Sequence, residues 1–204
     1  MEQIIIYVLL VTSVIGLTII IERALALRAR NVVPPEIQNA LETCRADGDL
    51  PMFRRICEQN PSPLGRLLVF IDTHRQWTQE ETINALETRA RHEVSRLERG
   101  LVILEIVVGI APLLGLVGTI YGLILLFGGM GDVSSGNNPN LAAGIALALH
   151  ATLLGLLTAI PSLIAWSYFN KKVETYAVEM AALCEEFLRR QYQEKTFVVE
   201  KTVK

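Results

Sequence analysis

The chain of 204 residues carries 19 basic and 21 acidic residues, a net charge of -2, and 51% hydrophobic residues with a mean hydropathy of +0.37. A positive mean hydropathy together with 20% charged residues implies that apolar and charged residues are segregated along the chain. Such a composition excludes a disordered segment, which would have a low mean hydropathy. The net charge near zero argues against a nucleic-acid-binding protein, which would carry a surplus of Lys and Arg. Three cysteines without a CxxC pair predict small buried side chains, and neither disulfides nor a thiolate zinc site.

Three long uncharged runs predict three transmembrane helices in an all-α protein. Residues 4–21, 106–131 and 133–170 contain no charged side chain, and a bilayer core of about 30 Å needs roughly 20 helical residues. The predicted segments are an N-terminal stub (1–3), a first span (4–21), a polar helical domain (22–100), a second span (101–130), a loop (131–140), a third span (141–169) and a C-terminal helix with its tail (170–204).

The basic residues predict the orientation of these spans. Twelve lie between Arg23 and Arg99 and the other seven between Lys171 and Lys204, so a topology with three spans places all 19 on one side. The positive-inside rule assigns that side to the cytoplasm. We therefore expect the N-terminus and the 131–140 loop outside, and residues 22–100 and 170–204 in the cytoplasm.

The cytoplasmic parts are predicted to be helices, two of them extensions of the spans. Breaks are expected at 34–35, 47–49 and 60–63, which are rich in Pro, Gly and Asp. Thr78 with Glu81 forms a capping box that starts a helix running into the second span. The third span is predicted to continue to about Tyr192, which gives two helices of about fifty residues each.

An apolar stripe marks one of the shorter helices between these breaks. Leu64, Leu67, Leu68 and Ile71 follow the i, i+3, i+4, i+7 spacing of a single helix face. The stripe predicts a face that packs against other helices of the polar domain.

Two threonines are the main candidates for a functional site in the spans. Thr119 lies eleven residues before Met130 and Thr152 eleven after Leu141, so in antiparallel helices both lie about 16 Å from the outer face. A lone transmembrane threonine bonds its own backbone by default. Two level threonines beside small residues indicate instead a face that another helix or water can approach. The small residues in question are Gly115, Gly118, Gly122, Ala148, Gly155 and Ala159.

Three further polar residues are candidates for proton transfer or for positions near a pore. A hydroxyl cannot carry a proton near neutral pH, so a titratable group must come from His150 or from another chain. His150 lies about 200° around the helix from Thr152, which predicts a hydrogen bond to a backbone carbonyl or hydroxyl beside a neighbouring helix, with proton relay as the alternative. Glu105 either snorkels to the interface or takes part in proton exit. Thr158 is the third candidate.

The composition of the spans also predicts a homo-oligomeric ring. Residues 4–21 are mostly large aliphatic side chains with one Gly, as exposure to lipid allows. The other two spans concentrate the small residues and Thr that helix contacts favour. We therefore expect the second and third helices inside the ring and the first facing lipid.

Residues 111–122 (APLLGLVGTIYG), 144–146 (GIA) and 151–161 (ATLLGLLTAIP) carry a resemblance that covers most of the chain. Together with 20–23 and 97–100 they are similar to the MotA/TolQ/ExbB proton channel family, and more so to its ExbB/TolQ branch. The APLLGLxGT segment is the specific signal, since a GxxxG pattern alone is generic.

The resemblance implies a homopentamer in a bacterial inner membrane around the helices of an ExbD/TolR-like single-span partner that carries an essential Asp. It implies that Thr119 and Thr152 line the channel, and that the partner supplies the carboxylate missing from this chain. One position departs from the pattern, because Leu147 stands where ExbB and TolQ proteins commonly have Glu, and His150 follows one turn later.

These observations predict an ion-conducting stator subunit that couples the proton motive force to work on periplasmic or outer-membrane partners. The alternative is a nonconducting membrane scaffold whose Gly and Thr residues serve packing only. No P-loop, HExxH, GxSxG or catalytic Cys/His grouping supports an enzyme, and neither a cofactor nor a metal is expected. Proton and sodium remain alternatives for the ion.

Overall fold

The computed structural model describes residues 2–43, 50–128 and 139–202. Eight α-helices make up this part of the chain. They are α1 (Glu2–Ala26), α2 (Ala29–Val32), α3 (Pro35–Thr43), α4 (Leu50–Gln59), α5 (Pro63–Thr73), α6 (Gln79–Glu98), α7 (Leu101–Gly128) and α8 (Pro139–Thr202).

The chain divides into two compact units. The span unit comprises Met1–Ala24 and Arg99–Asn170, and the core unit comprises Leu25–Glu98 and Lys171–Lys204. The boundaries between them fall inside α1 and α8 and at the junction of α6 with α7.

Local signals set the helix boundaries of the core unit. The Ser62 hydroxyl accepts a hydrogen bond from the Gly65 amide at 3.0 Å, and Pro63 occupies the first turn of α5. The predicted capping box is confirmed, because the Thr78 amide donates to Glu81 Oε2 at 3.0 Å and the Glu81 amide donates to Thr78 Oγ1 at 3.3 Å. The predicted breaks at 34–35 and 60–63 coincide with helix boundaries, since α3 begins at Pro35 and α5 begins at Pro63. The turn predicted at 47–49 lies outside the described residues.

Large apolar side chains fill the interior of the core unit. The predicted stripe Leu64, Leu67, Leu68 and Ile71 is at most 1% exposed. Phe53 of α4 stacks against Phe187 of α8 with ring centroids 5.1 Å apart.

The cysteines described in the core unit behave as buried apolar side chains, as predicted. Cys57 and Cys184 are both buried and free of disulfides. Burial raises the pKa of the Cys184 thiol to about 12, so the thiol stays protonated and unreactive. Cys44 lies outside the described residues.

An ion pair with a buried carboxylate links α5 to α6. Glu93 is 3% exposed and accepts two hydrogen bonds from Arg66, at 3.0 Å and 2.5 Å. Burial raises the pKa of the Glu93 carboxyl, but the hydrogen bonds and charge of Arg66, with Arg96 and Arg89 nearby, outweigh burial and hold the pKa below its ordinary value.

Three helices long and apolar enough to cross a bilayer supply the span unit. The candidate spans are Ile4–Ala26, Leu101–Gly128 and a stretch within Gly144–Gln193 that begins in the apolar half of α8. Many large apolar side chains on these helices are exposed, including Leu10, Leu17 and Ile164. An apolar exterior of this kind suits contact with lipid or with other transmembrane helices.

The structure corrects the prediction of one helix running from the capping box into the second span. The helix that begins at the capping box ends at Glu98, and α7 starts at Leu101 after a turn at Arg99 and Gly100. The side chain of Arg23 packs directly over Gly100, so a Cβ at this position would require the end of this flexible side chain to move.

The second long helix exceeds its predicted length. α8 begins at Pro139, inside the predicted 131–140 loop, and continues past Tyr192 to Thr202. The rest of that loop, residues 131–138, lies outside the described residues together with residues 129 and 130 at the end of the predicted second span.

Candidate functional site

Small residues bring α7 and α8 into close backbone contact, in an antiparallel seam. A methyl group added to Gly155 would lie 2.7 Å from the Ala111 carbonyl oxygen, and one added to Gly122 would lie 3.0 Å from the Ala148 Cβ. Gly118 touches the Ala151 methyl group so closely that it has no room for a side chain. A glycine is therefore required where each helix meets the backbone or methyl groups of the other.

The hydroxyls of the two predicted threonines bind consecutive carbonyls of α7. Thr119 Oγ1 donates to the Leu116 carbonyl at 2.6 Å, within its own helix. Thr152 Oγ1 donates across the seam to the Gly115 carbonyl at 3.3 Å. Because these carbonyls belong to adjacent residues, the two hydroxyls lie at nearly the same depth along the helix pair. Both side chains are half-buried, so each keeps an accessible side.

Contacts with α1 establish which side of the seam the threonines occupy. A methyl group on Gly118 would lie 3.6 Å from Ile5 Cγ2, and one on Gly16 would lie 3.2 Å from Ser162 Oγ. At about 100° per residue, Thr119 lies about 100° around α7 from Gly118.

On α8, Thr152 lies about 80° around the helix from Ser162. Both rotations, from Gly118 to Thr119 and from Ser162 to Thr152, have the same sense about their own helix axis. Because α7 and α8 are antiparallel, the two rotations lead to the same side of the helix pair. Thr119 and Thr152 therefore share the side away from α1.

His150 lies on the face of α8 turned away from α7. It is about 140° around the helix from Gly155, which lies in the seam, and its side chain is exposed. His150 Nδ1 lies 2.6 Å from the Ala146 carbonyl oxygen. A carbonyl only accepts, so Nδ1 carries the hydrogen and Nε2 of the neutral ring is an acceptor. The structure does not bring His150 together with Thr152.

The other predicted residues take separate positions in the span unit. Glu105 is exposed on α7, one turn after its start. Thr158 is half-buried and donates to the Leu154 carbonyl at 3.0 Å, and the buried Ser162 donates in turn to the Thr158 carbonyl at 2.8 Å. Ala159 is 6% exposed. The side chain of Leu147 lies outside the described part of the chain.

Sequence reasoning missed Ala151 and Ala111 as members of the seam. The Ala151 methyl group faces Gly118, and the Ala111 carbonyl faces Gly155. The signal for Ala151 was present, because it lies three residues after Ala148 and four before Gly155 on one helix face. Ala111 contributes its backbone, which no side-chain pattern reveals.

The site can form hydrogen bonds, but its two threonines supply neither an acid nor a base. Two hydroxyls and two carbonyls lie together in a stretch of α7 and α8 without charged residues. As bonded here, the hydroxyl oxygens can accept a hydrogen bond from a protonated carboxyl brought by another helix, but they cannot serve as proton carriers. Among the described residues, no group of three His, Cys, Asp or Glu side chains could hold a metal ion.

Comparison with known families adds evidence from outside the structure. The model of the MotA/TolQ/ExbB proton channel family matches residues 55–182, which is more than half of the chain. That range includes the whole of α7 and the part of α8 that carries Thr152 and His150.

Several curated proteins are similar to the chain. A biopolymer transport protein of Synechocystis sp. named ExbB-like 1 is 33% identical over 172 residues, 80% of this chain and 65% of the relative. The biopolymer transport protein ExbB of Aquifex aeolicus is 38% identical over 87 residues, 43% of this chain and 59% of the relative. The Tol-Pal system protein TolQ of Pseudomonas aeruginosa is 33% identical over 108 residues, 53% of this chain and 47% of the relative. The chain thus spans about half to two thirds of the length of the curated relatives it matches.

Proposed function

The chain belongs to the MotA/TolQ/ExbB proton channel family and resembles its ExbB and TolQ members, and we propose that it is the ion-conducting stator subunit of an inner-membrane motor. The motor converts the proton motive force into work on periplasmic or outer-membrane partners. The observation that carries this proposal is the pair of level threonine hydroxyls on one side of a glycine-packed helix pair. Each ion that crosses releases ~2.3 kcal/mol per 100 mV, enough to drive a conformational step.

The proposed motor needs a second subunit with a carboxylate in the membrane. The uncharged stretches of α7 and α8 contain no acid, and a threonine hydroxyl cannot be the proton carrier. An ExbD/TolR-like single-span protein with a membrane Asp would supply that group. Because Thr119 and Thr152 donate their hydroxyl protons to backbone carbonyls, their oxygens would accept a hydrogen bond from the protonated carboxyl. To donate to the ionised carboxylate, either hydroxyl would have to release its carbonyl.

The proposed assembly is a homopentameric ring in which α7 and α8 surround the partner and α1 faces lipid. The position of both threonines on the side away from α1 supports this arrangement, since it directs the polar side inward and α1 outward. Native mass spectrometry in detergent should show one discrete oligomer. A monomer under all conditions would contradict the ring.

The proposed topology has an external N-terminus, three spans and a cytoplasmic C-terminus. It rests on the placement of all 19 basic residues on one side. In a background without the native cysteines, single cysteines at positions 3, 135 and 195 can be treated with an impermeant thiol reagent on intact cells. Labelling at 3 and 135, but not at 195, is expected. Labelling at 195 without labelling at 135 would contradict the topology.

One observation favours the alternative of a nonconducting scaffold. Both threonine hydroxyls bond backbone carbonyls, and the glycines around them are used in helix contact. Proton flux into liposomes separates the two proposals, with the chain reconstituted alone or together with an ExbD/TolR-like single-span protein from the same genome.

The conducting proposal predicts flux only with the partner, and loss of that flux when the partner's membrane Asp is replaced by Asn. The same measurement with a sodium gradient in place of the proton gradient shows which of the two ions crosses. An assembled complex that conducts neither ion would establish the scaffold.

A further inference from the structure

His150 leaves an unused hydrogen-bond acceptor on an exposed face within the apolar part of α8. Nδ1 is occupied by the Ala146 carbonyl, so the free acceptor is Nε2. A polar, ionisable side chain facing lipid is costly, and such residues almost always face protein or a water-filled cavity. The face around His150 therefore requires cover from another helix, and that helix must present a donor.

Tyr121 presents a donor without a partner on α7. Its side chain is half-buried, and within the described part of the chain its hydroxyl makes no hydrogen bond. Tyr121 lies about 60° around α7 from Gly118, in the direction opposite to Thr119. The phenol is therefore on the side of the pair that faces α1, away from the threonines.

The two groups lie at the same depth in the membrane. Gly118 meets Ala151 in the seam, so His150 is level with about residue 119 of α7. Side chains on a helix lean toward its N-terminus, which brings the Tyr121 hydroxyl back from its own Cα to this level. In a ring whose axis is normal to the membrane, every copy places these groups at the same depth.

The directions of the two side chains match the contact between neighbouring copies. His150 points away from its own α7, so it cannot meet Tyr121 of its own chain across the seam. In a ring, the outer face of α8 lies beside α7 of the next copy. There His150 and Tyr121 both point to the α1 side of the junction.

We infer that His150 Nε2 accepts a hydrogen bond from the Tyr121 hydroxyl of an adjacent copy of this chain. This inference rests on the proposed ring, and it assigns His150 to the contact between copies instead of the ion path. The bond satisfies the imidazole in hydrocarbon and fixes which face of α8 meets the next copy.

Cross-linking between two differently tagged copies tests the contact. One copy carries His150→Cys and the other Tyr121→Cys, both in a background with the three native cysteines replaced by Ala, and a short bismaleimide joins the thiols. We expect a cross-linked dimer that carries both tags. The matched control pairs His150→Cys with Phe127→Cys, which lies about 9 Å away along α7 and should give no dimer.

A double-mutant cycle measures the bond itself. Tyr121→Phe and His150→Leu should each weaken association of the ring by about threefold, as is typical of an interhelical hydrogen bond in a membrane. The double variant should be no weaker than either single one. Additive effects, or an intact ring without the doubly tagged dimer, would overturn the inference and leave the proposed function standing. Absence of any ring by native mass spectrometry would overturn both.

Discussion

The two units of this chain are packed by opposite means. The core unit buries large side chains such as Phe53 and Phe187, starts its helices with capping groups, and joins α5 to α6 through the Arg66–Glu93 pair. The span unit joins α7 to α8 through glycines and alanines and leaves many of its large apolar residues on the outside.

The difference shows how each surrounding medium selects its packing. In water, removal of large apolar side chains from solvent is the main stabilising term. In lipid that term is absent between helices, so close backbone approach, dispersion and hydrogen bonds hold the helices together. A large-to-small substitution should therefore be most harmful in the core unit, and a small-to-large one in the span unit.

The largest expected effect is the loss of a core aromatic ring. Phe53→Ala should lower the free energy of unfolding by about 3–5 kcal/mol, because it removes a buried ring stacked on Phe187. Denaturant unfolding followed by circular dichroism measures the change. Met52→Ala, on the exposed side of the same helix at 64% exposure, is the matched control and should stay within about 0.5 kcal/mol. Equal effects of the two substitutions would contradict the assignment of the core.

The next largest effect is expected from a small-to-large substitution in the span unit. Gly155→Ala adds one methyl group against the Ala111 carbonyl and should destabilise the span unit by about 1–3 kcal/mol. Gly109→Ala adds the same group to α7 where nothing lies within 4 Å. It should be neutral or stabilise slightly, by the higher helix propensity of Ala. Thermal unfolding in detergent compares the two, and a harmless Gly155→Ala would show that the seam is not tightly packed.

The smallest expected effect is the pH dependence of the Arg66–Glu93 pair. The pKa of Glu93 is lowered in the folded protein, so its contribution to stability is present above the ordinary carboxyl value of 4.5 and is lost as the pH falls below it. The free energy of unfolding, measured between neutral pH and about pH 3, should show this loss in addition to the losses from other carboxyl groups. Glu93→Gln should be less stable at neutral pH and lose less on acidification. If Glu93→Gln loses as much stability on acidification as the unsubstituted chain does, Glu93 does not contribute to the acid dependence.

The features that sequence predicted are those set by neighbours along the chain. The capping box at Thr78 and Glu81 and the buried stripe in α5 follow from residues within one or two turns, so their spacing is sufficient evidence. The break at Arg99 and Gly100 was underestimated for the opposite reason. The side chain that covers Gly100 belongs to Arg23, which is far away in sequence and reaches Gly100 only in the folded span unit.

The candidate site was predictable in its residues but not in its bonds. Small-residue spacing identified the faces of α7 and α8, and counting residues from the outer face placed Thr119 level with Thr152. The partner of Thr152, the Gly115 carbonyl, depends on the register and separation of two helices. Backbone groups such as this one leave no trace in a side-chain pattern.

The central claim is that the threonine side of the α7–α8 pair forms part of an ion path, and Thr152→Val tests it most directly. Valine keeps the shape of the side chain and removes the hydroxyl. The control is Thr18→Val, which removes a hydroxyl bonded to the Val14 carbonyl at 2.8 Å on exposed α1.

We expect Thr152→Val to lower the proton flux through the chain reconstituted with its single-span partner by about tenfold or more. This factor corresponds to the free energy of one hydrogen bond to a charged group. The ring should stay intact, and Thr18→Val should conduct as the unsubstituted chain does. Normal flux in an intact Thr152→Val ring would contradict the claim and leave Thr152 as a packing residue of the α7–α8 seam.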